Sequence, residues 1–133
     1  MTHLLDTSAY AAFRRGDSRI LTIIRDSSRL FLPSIVIGEL LYGFRVGSRF
    51  QANTEHLQAF LHSGHVEALS VTPTTADHYS RIAESLRRSG QPIPTNDLWI
   101  AALAAEHDVT IVTYDQHFKR VDGVRVQCLT LPA

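Results

Sequence analysis

Short apolar runs of strand length alternate along the chain with longer stretches whose apolar residues recur every three or four positions. The first run, His3-Leu4-Leu5-Asp6, is closed by Thr7-Ser8, residue types that cap helices. A short helix should follow from Ala9 to Arg14 and end at Gly16. Asp17 and Ser18 can cap a second helix with Ile20, Leu21, Ile23 and Ile24 on its buried side. Leu30-Phe31-Leu32 reads as a buried strand. Pro33-Ser34 opens a third helix carrying Ile35, Leu40, Leu41 and Phe44 as far as a break at Gly47. A fourth helix, from about Arg49 to His62, buries Leu57, Phe60 and Leu61.

The pattern then repeats. Val66 to Val71 is strand-like, and Thr74-Thr75 opens a fifth helix with Tyr79, Ile82, Ala83 and Leu86 that stops at Gly90. Gly90-Gln91-Pro92-Ile93-Pro94 must be a loop, because proline lacks the amide that a helix interior needs. Thr95 can cap a sixth helix of Leu98, Ala101, Ala102 and Ala105, with Trp99 packed in the core. Thr110-Ile111-Val112-Thr113 is a β-branched strand, and Val124 to Leu129 forms a last one. Strands alternating with helices predict a three-layer α/β/α sandwich around a mostly parallel central sheet, in one domain over residues 1–133.

Composition changes this picture little. The 133 residues are 44% hydrophobic and 20% charged, which fits a packed core with a solvated surface. No apolar run approaches the roughly 18 residues of a membrane helix, and the first residues lack the pattern of a signal peptide, so a cytoplasmic protein is expected. Cys128 stands alone and can form neither an internal disulfide nor a cysteine zinc site. Charge balances at 13 basic and 13 acidic residues, which by itself argues against nucleic acid. All but one of the basic residues are arginine, whose planar fork matches phosphate oxygens. Gathering four of the acids at one site leaves the remainder of the chain at net +4.

Four acids can gather in that way. In a parallel sheet the carboxyl ends of the strands and the amino ends of the helices preceding a strand share one edge, where such folds bind ligands. Asp6 ends the first strand and Asp115 follows the Thr110–Thr113 strand. Asp97 lies in the first turn of the helix before that strand, and Glu39 about five residues into the helix after Leu32. Each also has a plainer reading. Asp6 and Asp115 can cap the turns that follow them, and Asp97 can oppose a helix dipole. Glu39 lies among Val36, Ile37, Leu40 and Leu41, where a carboxylate needs a partner. Clustered carboxylates must share protons or be neutralised by a cation, and all-oxygen sites suit one or two Mg²⁺ or Mn²⁺ ions acting on phosphate esters. Ser8, Asn96 and Thr113 border the cluster and can orient the carboxylates.

On these residues the chain resembles the PIN-domain family, and within it the VapC-type toxin ribonucleases. The landmarks are Leu5-Asp6-Thr7-Ser8, Gly38-Glu39-Leu40-Leu41-Tyr42-Gly43, Ile93-Pro94-Thr95-Asn96-Asp97-Leu98-Trp99-Ile100-Ala101-Ala102 and Thr113-Tyr114-Asp115-Gln116-His117-Phe118, in order over nearly the whole chain. The resemblance implies that Asp6, Glu39, Asp97 and Asp115 are the metal-binding catalytic acids, with Thr113 hydrogen-bonding among them. It also implies RNA as substrate, a homodimer, and a small antitoxin protein as partner. Tyr114 departs from the small polar residue that many relatives carry there.

Other readings compete. A non-catalytic RNA-binding or protein-interaction module could use the same scaffold. A phosphatase of the haloacid-dehalogenase kind needs a second Asp where Ser8 stands, and a receiver domain needs a lysine after a strand, where Lys119 is not. His62 and His65 read as surface residues, since no third metal ligand accompanies them. His117 lies near the acidic edge and could contact phosphate or only pack its turn. Arg14 and Arg15 are candidate substrate contacts, and Arg19, Arg45 and Arg49 are candidates for phosphate or antitoxin.

Overall fold

A computed structural model describes residues 1–130. Its sheet is built from β1 (Thr2–Leu5), β2 (Arg29–Pro33), β3 (Val66–Leu69), β4 (Thr110–Thr113) and β5 (Val126–Cys128). The helices are α1 (Thr7–Arg14), α2 (Ser18–Asp26), α3 (Ser34–Val46), α4 (Phe50–Leu61), α5 (Pro73–Ser89) and α6 (Thr95–His107), with a short 3₁₀ turn at Gln116–Arg120. Every strand pair is parallel, so the sheet is wholly and not just mostly parallel. Strand order is β3-β2-β1-β4-β5. The chain therefore moves outward from β1 to β3, then crosses back to lay β4 on the other side of β1. Right-handed crossovers put α1 to α4 on one face and α5 with α6 on the other.

β1 is the centre of this arrangement. Leu4 and Leu5 are fully buried, as are Leu30 and Leu32 on β2 and Ile111 and Val112 on β4. Both faces of the strands are covered, which is why these segments read as continuous apolar runs rather than alternating ones. Tyr10, Phe13 and Phe60 pack as an aromatic cluster, with ring centroids 5.1–5.8 Å apart, and join α1 to α4.

Several local expectations are corrected. Of the two cap readings for α1, Asp6 and not Thr7 or Ser8 is the one observed: its carboxylate accepts the Ala9 amide at 2.9 Å. Thr95 does not cap α6, because the helix already includes it and Pro94 occupies the cap position with no side-chain bond. α5 starts earlier than Thr74, at Pro73, with Thr72 and Thr75 forming a reciprocal capping box, and so β3 ends at Leu69 rather than Val71. β5 spans only Val126–Cys128. Leu21 is exposed, since at 100° per residue it cannot share the face of Ile20, Ile23 and Ile24. Trp99 does not enter the core. It is half-buried and stacks on Tyr79 of α5, with ring centroids 4.0 Å apart.

The core residue directly before the first acid offers a test of this packing. Leu5→Ala should destabilise the fold by about 3 kcal/mol through lost burial and an unfilled cavity, read as a lower urea midpoint with unchanged slope.

Candidate active site

Asp6 follows β1 and Asp115 follows β4, the two neighbouring strands between which the direction of winding reverses. In open α/β sheets such a switch point opens a crevice at the carboxyl ends of the strands. Here it is a cleft of about 310 Å³ lined by Asp6, Thr7, Ser8, Ala11, Glu39, Asp97, Ile100 and Asp115. All four acids selected from the sequence meet in it.

Asp6 is 5% exposed and accepts three hydrogen bonds. Ser8 Oγ donates to Oδ1 at 2.7 Å, the Ala9 amide donates to the same oxygen, and Thr113 Oγ1 donates to Oδ2. Both hydroxyls also accept. Thr113 receives the Asp115 amide at 2.8 Å and Ser8 receives the Tyr114 amide at 3.0 Å. Two small side chains thus fix the end of β1 to the end of β4. Glu39 is held from both sides, by Thr7 Oγ1 at 2.7 Å and by Asn96 Nδ2 at 3.2 Å. Ser8, Asn96 and Thr113 all lie where the sequence placed them, in contact with the acids.

Burial is the main cause that raises the Asp6 carboxyl above its ordinary range, with the hydroxyl and amide donors opposing it. Asp97 is pushed up to about 6, first by burial and then by the negative charge of Asp115, Asp6 and Glu39. His117 partly offsets that repulsion. Its Nδ1 lies 3.0 Å from Asp115 Oδ1 and 3.6 Å from Asp97 Oδ2. The nitrogen is buried and makes no aligned hydrogen bond.

The residues present fit a divalent cation. Carboxylate oxygens from four segments are hard donors, and a cation would offset the burial and repulsion that together lift Asp97. Ligand atoms of Asp97, Asp115 and His117 all lie within 4.8 Å of one another.

Arg14 and Arg15 are exposed and do not line the acidic cleft. They line an adjoining groove of about 250 Å³ with Tyr10, Leu40, Phe44 and Asn53, and Ala11 borders both spaces. His62 and His65 are exposed. Sequence reasoning missed Thr7, which contacts Glu39, although it sits between two residues that were selected. It also missed a brace behind the site. Tyr114 Oη donates to Asp17 Oδ2 at 2.7 Å, and Arg19 bonds the same carboxylate at 3.1 Å. Arg19 and Tyr114 hold the Asp17 carboxyl well below the usual range. Tyr114 therefore ties the strand end to the cap of α2.

Residues 3–124 match the PIN domain family. The chain is 29% identical over 120 residues to Ribonuclease VapC5 of Mycobacterium tuberculosis, covering 90% of this chain and 87% of that protein. The fold matches a chain of VapBC2 from Rickettsia felis bound to a DNA fragment from their promoter, with a TM-score of 0.85 at 24% identity and coverage of 97% and 99%. VapBC-5 from M. tuberculosis, a member of the VapBC family of toxin–antitoxin systems, matches with a TM-score of 0.71 at 26% identity, covering 98% of each chain.

The raised Asp97 carboxyl gives a signed expectation for stability. An acid whose folded pKa exceeds its unfolded value costs nothing at low pH, where it is protonated in both states. The cost grows between about pH 4 and pH 6 and is complete above that. Its upper size is about 3 kcal/mol, against at most about 1 kcal/mol of favourable dipole interaction lost with the charge. In chelator at pH 7.5, Asp97→Asn should melt several degrees above wild type, and the difference should close by about pH 4. Scanning fluorimetry across this range checks it, and an Asp97→Asn protein melting below wild type at pH 7.5 would contradict the crowding.

Proposed function

The chain belongs to the PIN-domain family, and on that premise we propose that it is a Mg²⁺- or Mn²⁺-dependent endoribonuclease acting as the toxin of a toxin–antitoxin pair. The convergence of Asp6, Glu39, Asp97 and Asp115 in one cleft carries this reading. The ribonuclease named among its relatives supports the substrate class. A non-catalytic module would gain nothing from a carboxyl lifted to about 6 by burial and by three neighbouring acids.

The four carboxylates would hold one or two ions. A bound Mg²⁺ or Mn²⁺ would supply Lewis-acid activation of water and charge stabilisation at the scissile phosphate. The chain itself supplies position. Thr113 and Ser8 occupy Asp6 with donors, so its carboxylate has one orientation and a reduced cost of ionisation. Thr7 and Asn96 do the same for Glu39 from opposite sides. Asp97, pushed up to about 6 by burial and by its acidic neighbours, holds a proton more readily than an ordinary carboxyl. Arg14 and Arg15, one turn beyond Ala11, place two guanidinium groups beside the cleft, where an RNA backbone leaving it can be met.

The toxin role brings a small antitoxin protein and a homodimer as partners. Support for the antitoxin comes from the toxin–antitoxin system among the matched structures and from the groove beside the cleft. There Leu40 and Phe44 of α3 and Asn53 of α4 meet Tyr10, whose buried hydroxyl has no hydrogen-bond partner. Leu57 and Phe60 are instead buried in the protein's own core. Among the described residues no helix is long and apolar enough to cross a membrane. A cytoplasmic location is consistent with that, and RNA is available there.

Asp6→Asn is the sharpest test, because Asn keeps an acceptor at Oδ1 and so still caps α1. RNA cleavage in Mn²⁺ should fall by orders of magnitude in Asp6→Asn, Glu39→Gln, Asp97→Asn and Asp115→Asn alike. Combined changes should cost far less than the sum. Near-normal cleavage by a folded Asp6→Asn protein, or wild-type cleavage undiminished by chelator, would overturn the reading.

A further inference from the structure

We propose that His117 is a ligand of the bound ion through Nδ1, so that this site is a mixed nitrogen–oxygen centre and not an all-carboxylate one. The inference rests on the metal-dependent reading above and refines its donor set.

The backbone that carries the ring is fixed before any ion is considered. Asp115 caps the 3₁₀ turn by accepting the His117 amide at 2.9 Å, and the neighbouring Phe118 is fully buried. The backbone of the turn is therefore held where it presents the imidazole to the carboxylates. Its Nδ1 stands at 3.0 Å and 3.6 Å from oxygens of two different carboxylates, yet it has no aligned hydrogen bond. A buried polar atom without a partner is costly, and native structures leave few of them. An imidazole held at such distances for ion pairing alone would be expected to aim an N–H at one oxygen. Nδ1 is instead spaced like a ligand. Two cis ligands of an octahedral ion with bonds of about 2.1 Å lie about 3 Å apart. Asp115 offers Oδ1 at that spacing, and Asp97 completes the three-sided set.

Nitrogen in the shell changes which ion the site prefers. Carboxylate and water suit Mg²⁺, whereas imidazole suits Zn²⁺, Fe²⁺ and the later first-row ions. His117 therefore biases this chain toward a transition-metal ion over Mg²⁺. The signal for it in the sequence was only the two-residue spacing Asp115-Gln116-His117, which a turn explains equally well.

Pulsed electron paramagnetic resonance on the full-length protein loaded with Mn²⁺ tests this without reference to activity. Wild type should show ¹⁴N modulation from a directly bound imidazole, replaced by ¹⁵N coupling when histidine alone is ¹⁵N-labelled. His117→Gln should lose the modulation while still binding Mn²⁺, and by calorimetry its Zn²⁺ affinity should fall about 10- to 100-fold with Mg²⁺ affinity much less affected. Mn²⁺ bound with no nitrogen coupling in wild type overturns the role of His117 and leaves the carboxylate site standing. Equal Zn²⁺ affinities in the two proteins do the same. A wild-type protein that binds none of these ions overturns both the inference and the metal-dependent reading beneath it.

Discussion

The Thr113 hydroxyl, donating to Asp6 while accepting the Asp115 amide, joins the ends of the two strands at which the sheet reverses its winding. Much of the site depends on this one side chain. It is fully buried, so its donor and acceptor capacity are both spent inside the protein, and each bond specifies the other. Ser8 repeats the pattern one step outward, with Asp6 on one side and the Tyr114 amide on the other. Carboxylates brought this close repel and lose hydration. Donors placed by β4 and by the first turn of α1 keep the cost tolerable without a cation, and the shifted Asp97 measures what they leave uncompensated.

Much of this was legible in the sequence because the chemistry and the topology point the same way. Asp6, Asp97 and Asp115 each follow or begin an element of opposite sense, so any parallel sheet with helical crossovers brings them to one edge. Glu39 stood out by being a charge among apolar neighbours, and its partners Thr7 and Asn96 account for how it is tolerated. Strand order was not legible. Nothing in the apolar runs says that β4 lies beside β1 rather than beyond β3, and this placement makes the edge into a crevice.

The misses share a cause. Thr7, Asp17 and Tyr114 matter through contacts between residues far apart in the chain, 32 positions for Thr7 with Glu39 and 97 for Tyr114 with Asp17. Periodicity and capping preferences describe only near neighbours. The same limit explains Trp99, whose apolar bulk reads as core although its face is met by Tyr79 at the side of the sheet. Leu21 is a different failure, a run of apolar residues too dense for one helical face.

The long separation between Asp6 and Thr113 also bears on how the protein is born. Asp6 is made well before its hydroxyl partner, which lies 107 positions later. At roughly 5–20 residues per second, the two are made about 5–20 s apart. During that interval β1 can pair with β2, but the position on its other side stays vacant, and Asp115 is still to come. A nascent or prematurely released chain thus carries fragments of the cleft and no assembled one. The topology delays completion of the acidic cleft until β4 and Asp115 have been made, so its four carboxylates are not brought together piecemeal during translation.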